Sequence, residues 1–293
     1  MCGVNAPTPA QSRELSQHAP PAVAASAART STVEPLLQAE VRARFRSASA
    51  AAPAAPLELS LVAPVYDERE NLEPLYQRVV EVFGTEKRWE LVLVDDGSRD
   101  GSGDAIRALA KRDPRVVGVF FAKNCGQTAA TCAGIQLARG ALVATLDADL
   151  QNDPADLPAM IARLPGHDAV VGYRLKRHDS FVRRASSRIA NGIRNWISQD
   201  DIRDTGCSLK LFRAEAIQAI PLFEGMHRFL PTLLRYHGYS VVEQAVSHRP
   251  RVAGKSKYGV MNRAFRALKD LFAVRWMRGR LIRLPIREVT DAR

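Results

Sequence analysis

Three acidic stretches, each following an apolar run, carry the residue types for phosphate and metal chemistry: VYDERE, VDDGSRDGS and LDADLQ. In the last, Asp147 and Asp149 stand two residues apart at the end of a run that reads as a strand. Side chains at i and i+2 of a strand share a face, so both carboxylates can reach one point, and Gln151 adds a neutral oxygen. Two carboxylates and an amide form a hard-oxygen donor set suited to Mg2+ or Mn2+ carrying a diphosphate. The ordinary alternative is a solvated acidic turn, with Asp153 and Pro154 opening a helix. Acids at two further strand ends weigh against it. Asp95 and Asp96 close a second apolar run before a Gly/Ser turn. Asp95 is expected to bond local backbone, and Asp96 to accept an N–H of a nucleobase. Pro64, Tyr66 and Glu68 ride the exit of the first run, where Tyr66 can stack on a flat base, although an aromatic at a strand end is usually core or rim.

Cations supply the complement. Arg174 follows a strand-like run, and Arg183 and Ser187 lie one helical turn apart, a spacing that can grip one phosphate. Arg251 and Lys257 sit in the glycine-containing stretch RPRVAGKSKYG. Taken singly, each of these reads as a solvated face. The GKS within that stretch is not a P-loop, because the required glycine is replaced by Arg249 and the strand–loop–helix order is missing. No G-x-S-x-G elbow, no H-E-x-x-H and no G-x-G-x-x-G after the first strand is present, and the six histidines form no cluster with metal-ligand spacing.

The elements that must position these groups are legible from residue 59 onward. LSLVAPV, ELVLVDD, VVGVFF, ALVATLDAD and DAVVGYR read as buried strands. Between them NLEPLYQRVVEVF, SGDAIRALAKRD, TAATCAGIQLARG (closed by Gly140) and PADLPAMIARL read as helices. Five strands alternating with helices predict an α/β fold with a mainly parallel sheet covered on both faces, and ligands at the carboxyl ends of its strands. Further on, the latter part of RLKRHDSFVRRASSRIANGIRNWI and HRFLPTLLRYHG read as helices, and YSVVEQAVSH as a strand. In VMNRAFRALKDLFAVRWM the spacing puts Met261, Phe265, Leu268, Phe272 and Trp276 on one helical face. Residues 1–56, rich in Ala, Pro and Ser, are expected to be disordered; 57–250 to form the α/β domain; and 251–293 to form a glycine-containing loop and basic amphipathic helices.

The 293 residues carry a net charge of +11. Residues 168–293 hold 25 basic and 11 acidic side chains, a net of +14, while the preceding part is mildly acidic. This asymmetry points to an anionic partner. Four cysteines in no C-x-x-C pair argue against a disulfide framework or cysteine zinc site, and suggest a reducing, cytoplasmic setting. No run of 18 apolar residues is present, so no bilayer-spanning helix is expected, and the start of the chain lacks a secretory pattern.

VAPVYDERENL, LVLVDDGSRDGS, KNCGQTAAT and TLDADLQNDP, in this order, resemble the GT-A (Rossmann-like) domain of family-2 inverting glycosyltransferases. More narrowly, DADLQ, Arg183-x-x-x-Ser187, IRDTGCSLKLFR and Arg251 with GKSKYG resemble the polyprenyl-phosphate glycosyltransferases, the group of dolichyl-phosphate mannose synthase. The resemblance covers about residues 59–276. It implies that Pro64, Tyr66, Glu68, Val94 and Asp96 hold the nucleoside, and that Asp147, Ala148 and Asp149 form the aspartate motif, with Gln151 completing a Mg2+ or Mn2+ shell. It places Arg174 near the donor and acceptor phosphates, Arg183 and Ser187 on the acceptor phosphate, and Arg251 and Lys257 on the loop over the donor diphosphate. Asp67 departs from the commoner Asn. The implied partners are a nucleotide-diphosphate sugar and a polyprenyl phosphate (undecaprenyl or dolichyl), met by peripheral contact with the inner face of the cytoplasmic membrane or through a membrane-protein partner. A family-2 enzyme acting on a polysaccharide or protein hydroxyl is the near rival; it would need a carboxylate base, for which Asp204 is the one tempting candidate. A nucleic-acid-binding protein using the basic region is the distant rival, and it leaves the strand-end acids without a purpose.

Overall fold

The computed structural model describes residues 56–84, 88–174, 197–198, 200–249 and 260–281, of 260–268 the backbone only. The first strand, β1 (Leu59–Val65), is an interior strand, third in the order of a seven-stranded sheet. It is followed by α1 (Arg69–Phe83), β2 (Trp89–Asp95), α2 (Ser102–Arg112), β3 (Val116–Phe120), α3 (Gln127–Leu137) and β4 (Leu142–Thr145). After the aspartate loop come a 3-10 turn (Pro154–Asp156), α4 (Leu157–Arg163), β5 (Ala169–Arg174), β6 (Lys210–Arg213) and α5 (Ala214–Gln218). A second 3-10 turn (Met226–Arg228), α6 (Leu230–Tyr236), β7 (Val241–Val246) and α7 (Val260–Arg278) complete the order. The strands run β3-β2-β1-β4-β6-β5-β7, and β6 is antiparallel to both neighbours while the other pairings are parallel.

The buried, doubly covered sheet explains the apolar runs of the sequence. Leu59, Leu61 and Ala63 of β1 face one core with Leu72, Leu75 and Val79 of α1, while Val62 faces the other with Ile135 of α3. Both faces of one strand are therefore apolar, as a two-sided parallel sheet demands. Gly134 lets α3 lie directly on β1: a Cβ there would fall well inside contact distance of the Val62 side chain. Gly140, expected to close this helix, instead follows its C-cap at Ala138 and permits close approach to the Ser60 backbone. At the amino-terminal end of the sheet the buried Glu90 accepts from Ser60 Oγ at 2.6 Å and from Arg139 Nε at 2.8 Å, which ties the α3–β4 connection to β1 and β2.

The register fixes where the chemistry sits. Val65 pairs with Asp95 and Val62 with Thr145, so Asp95 and Asp147 emerge at nearly the same level from strands on either side of β1. Two strand spacings separate them, roughly 10 Å. The acids expected to meet do lie at one end of the sheet. On α7, Phe272 and Trp276 of the expected stripe are 56% and 63% exposed, while Leu271 and Val274, outside that stripe, are buried. Among the described residues no helix is long and apolar enough to cross a membrane.

Candidate active site

The aspartate loop begins where β4 ends. Asp147 Oδ1 accepts from Gln127 Nε2 of α3 at 3.0 Å, and Asp147 N donates to Ser208 Oγ at 3.3 Å. Ser208 Oγ in turn donates to Asn152 Oδ1 at 2.9 Å. The segment preceding β6 is thereby wired to the loop. Leu150 takes a positive φ of 59°, a costly conformation for a branched residue that survives only where its surroundings enforce it. Asp149 is buried and its Oδ1 accepts from Gln151 N at 3.1 Å. Asp153 is committed elsewhere: Arg78 grips it with two hydrogen bonds of 2.8 and 3.0 Å, and Arg249 reaches it at 2.5 Å. Arg249 N also donates to Gln151 O at 2.9 Å, which ties the residues after β7 to the aspartate loop.

The donor set fits a Mg2+-type ion. Among the described residues no three His, Cys, Asp or Glu side chains are arranged to hold a metal unaided. Mg2+ is characteristically held by one or two carboxylates, with substrate phosphates and water completing its shell. Asp147 and Asp149 are the groups that would hold it, with the Gln151 side-chain oxygen nearby in sequence.

The nucleoside residues fall in two groups. Tyr66 lines a cavity of about 530 Å3 together with Asp95, Ser98, Arg99, Lys123 and Asn124. Pro64 instead lines a smaller cavity of about 180 Å3 with Gln127, Asp147, Ser208, Lys210 and His227. Val94 and Ala148 are buried in the two cores, so a contact from either to a nucleoside would run through its backbone. Glu68 precedes α1, and its carboxylate accepts from Asn71 Nδ2 at 2.5 Å. Asp67, with a φ of 49°, accepts from Arg99 N at 2.8 Å, which joins the first loop to the second.

Asp95 behaves as expected, accepting from Ser98 N at 3.0 Å. Asp96 is largely occupied by the β3–α3 loop. Its Oδ1 accepts from Cys125 N at 2.6 Å, and its Oδ2 from Gly126 N at 2.9 Å and Asn124 Nδ2 at 3.0 Å. Burial pushes its carboxyl up, the Cys125 and Gly126 N–H groups pull it down, and neighbouring Asp95 adds to the rise, for a net upward shift. In this arrangement Asp96 organises the KNCG loop, and a base would share the lone pair left on Oδ1.

Arg174 and Asp204 form a bidentate pair, Nε–Oδ2 2.7 Å and Nη2–Oδ1 2.9 Å, with both side chains 14% exposed. Burial opposes the guanidinium charge, but Asp204 outweighs it and the group's pKa rises. Beside them lies Lys210, which the sequence reading left without a role. It is 4% exposed and donates to the Cys207 carbonyl. Burial lowers its pKa despite the nearby Cys207, Asp147 and Asp204. His227 also went unassigned, because its partner is 99 residues away: its Nδ1 lies 2.7 Å from Thr128 Oγ1, which also accepts from Gly225 N at 3.2 Å. Arg228 faces Asp270 of α7 at 3.8 Å. Arg183, Ser187, Arg251 and Lys257 lie outside the described residues.

The chain is similar to known proteins. The family model described as glycosyl transferase family 2 matches residues 60–220. Dodecaprenyl-phosphate galacturonate synthase of Rhizobium johnstonii is 42% identical over 76% of this chain and 68% of its own length. Undecaprenyl-phosphate 4-deoxy-4-formamido-L-arabinose transferase of Edwardsiella ictaluri is 39% identical over 69% of this chain and 63% of its own. The chain thus spans about two thirds of the length of these relatives. Among solved structures, glucosyl-3-phosphoglycerate synthase of Mycobacterium tuberculosis in complex with Mn2+, uridine diphosphate and glucosyl-3-phosphoglycerate superposes with a TM-score of 0.57 at 15% identity, covering 83% of this chain and 84% of that one. At that identity the likeness speaks for the fold, here a GT-A-like α/β architecture. The ordered acidic motifs, the sheet that gathers them and the relatives at about 40% identity agree: the chain belongs to glycosyl transferase family 2.

Proposed function

We propose that the protein transfers a sugar from a nucleotide-diphosphate donor to the phosphate of a polyprenyl lipid, with inversion at the anomeric carbon. The observation that carries this reading is the placement of Asp147 and Lys210 in one cavity at the carboxyl ends of the strands, within electrostatic reach of the Arg174–Asp204 pair, with the buried Asp149 two residues further along the aspartate loop. The named activities of the two relatives, sugar attachment to dodecaprenyl or undecaprenyl phosphate, support the acceptor class. Mg2+ or Mn2+ held by Asp147 and Asp149 would supply neutralisation of the departing diphosphate.

The remaining work falls to the chain. The attacking group is an oxygen of the lipid phosphate, which forms the new bond to the anomeric carbon from the face opposite the leaving diphosphate; the old C–O bond breaks and its electron pair leaves with the nucleoside diphosphate. A phosphate monoester, with a second pKa of about 6, is already largely anionic at neutral pH, so no base must take a proton. Asp204 fits that requirement, since its oxygens serve Arg174 rather than a substrate hydroxyl. Arg183 and Ser187 are assigned to the acceptor phosphate, and Arg251 and Lys257 to the donor diphosphate, on the strength of the motif resemblance.

The lipid has to be met at a bilayer. Phe272 and Trp276 project from α7 on the side away from its buried Leu271 and Val274, with Arg280 near the Trp276 ring at 5.6 Å. Exposed aromatics edged by arginines suit the headgroup region of an anionic membrane. The activity is tested by incubating the full chain with undecaprenyl phosphate, Mn2+ and UDP- or GDP-sugars, reading lipid-linked product and released nucleotide. Transfer to a hydroxyl acceptor and none to the lipid phosphate would refute the reading.

A further inference from the structure

The cavity of about 180 Å3 has an unusual floor. Lys210 lines it beside Thr145, Asp147, Thr205, Ser208 and Arg228. The residue is 4% exposed and its ammonium carries three N–H donors, yet among the described residues the Cys207 carbonyl is its sole hydrogen-bond partner and it makes no ion pair. Asp147 and Asp204 act on it electrostatically without forming an ion pair with it among the described residues, and they hydrogen-bond Gln127 and Arg174 respectively. A buried cation without a counter-ion is costly, and such groups are ordinarily paired. Packing alone does not call for it: β6 is a short strand in which Leu211 and Phe212 fill the two cores. The position selects a cation whose partner arrives with the substrate.

We infer that Lys210 is a substrate-binding residue that takes an anionic oxygen of the bound substrate in this cavity, either the phosphate of the lipid acceptor or a carboxylate on the transferred sugar. The inference rests on the transferase reading above, and deepens it by naming a binding group and the chemistry it requires. Cost without ligand and gain with ligand is the signature of a functional buried charge, and it separates this role from a structural one.

The test uses the full chain with Mn2+. Affinities are measured by calorimetry for farnesyl phosphate, for UDP and GDP, for UDP-glucose against UDP-glucuronate, and for GDP-mannose against GDP-mannuronate. Lys210→Met, Lys210→Gln (which keeps a donor for the Cys207 carbonyl) and Lys210→Arg are compared with the parent. The expected result is that both neutral variants melt at or above the parent temperature without ligand, yet lose about tenfold or more in affinity for one anion, while Lys210→Arg stays within about threefold. Loss confined to farnesyl phosphate assigns the lipid phosphate; loss of a preference for the uronate donor over its neutral counterpart assigns the sugar carboxylate. Unchanged affinities, an equal loss shared by UDP or GDP alone, or a fall in melting temperature that Lys210→Arg reverses without any ligand effect would overturn the inference. Failure of the parent chain to bind any of these probes would instead sink the transferase reading on which it stands.

Discussion

Breaking the Arg174–Asp204 pair separates the lipid-phosphate mechanism from its hydroxyl-acceptor rival. The pair is bidentate, at 2.7 and 2.9 Å, and both side chains keep only 14% of their surface exposed. Removing one partner of a buried pair costs about 3–5 kcal/mol because the survivor is left charged and desolvated. The residual exposure favours the lower end, about 3 kcal/mol. At about 2–4 °C per kcal/mol for a chain of this size, Asp204→Asn is expected to lower the melting temperature by about 6–12 °C. Arg174→Met with Asp204→Asn removes both charges and should recover most of that loss, so the double variant melts nearer to the parent than either single variant does, instead of at the sum of the two single losses. The second readout is the pH dependence of kcat, measured by nucleotide release with undecaprenyl phosphate. A clamp leaves the shape of the profile intact, with an acid limb near the second phosphate pKa of about 6 that belongs to the acceptor. A general base would take that limb with it. If Asp204→Asn melts like the parent and abolishes the acid limb, Asp204 is the base and the phosphate-nucleophile argument fails.

Other consequences are cheaper to check. Asp149→Ala should abolish transfer while far-UV circular dichroism and the melting temperature stay close to the parent; near-normal turnover would remove the carboxylate from the metal-holding role. Gly134→Ala should destabilise by about 1–3 kcal/mol despite the better helix propensity of alanine, because the new Cβ collides with Val62; a rise in melting temperature would contradict the tight α3–β1 packing. Burial pushes the Cys132 thiol up to about 12, and Cys207 is also buried with a raised pKa, whereas Cys125 is exposed on the KNCG loop. In a Cys2→Ser background one thiol should therefore react with a thiolate-selective reagent at pH 8 in the native state and the other two only in denaturant. Vesicles containing anionic lipid should co-float with the parent chain, and Phe272→Ser with Trp276→Ser should reduce that fraction several-fold; an unchanged fraction would move the contact elsewhere.

Sequence reading succeeded where physics repeats itself along the chain. β1, β2 and β5 are buried on both faces, so their apolar runs are long and end abruptly at polar loops, which is also where the register gathers Asp95 and Asp147. β6 was invisible for the opposite reason. KLFR is four residues long, has a charge at each end, and pairs antiparallel with strands far away in sequence. α7 shows a different limit. Its spacing singles out the large aromatic stripe, but the fold buries Leu271 and Val274 and leaves Phe272 and Trp276 outside. A helix with apolar residues on more than one side has no unique inward face until its neighbours are known. Asp96 illustrates the same dependence on context, since the amides that satisfy it come from a loop 28 to 30 residues downstream.

The strand hidden from the sequence bears on function. β6 enters between β4 and β5 against the direction of both, which brings residues just before it, Thr205 to Ser208, to the same end of the sheet as the carboxyl ends of the parallel strands. A parallel strand in that slot would have sent those residues to the opposite end. The reversal lets one short segment deliver Asp204 to Arg174, Ser208 to the aspartate loop and Lys210 to the cavity. The first two contacts do not follow from local propensity, because each depends on a partner at least 30 residues away, and the cavity that Lys210 enters is lined by residues from several distant elements. The recognisable acids mark where the donor's diphosphate belongs, while the groups that choose and orient the remaining substrate are set by topology. Substitutions in residues 204–210 should therefore alter substrate preference more readily than they alter metal dependence, whereas substitutions at Asp147 and Asp149 should do the reverse.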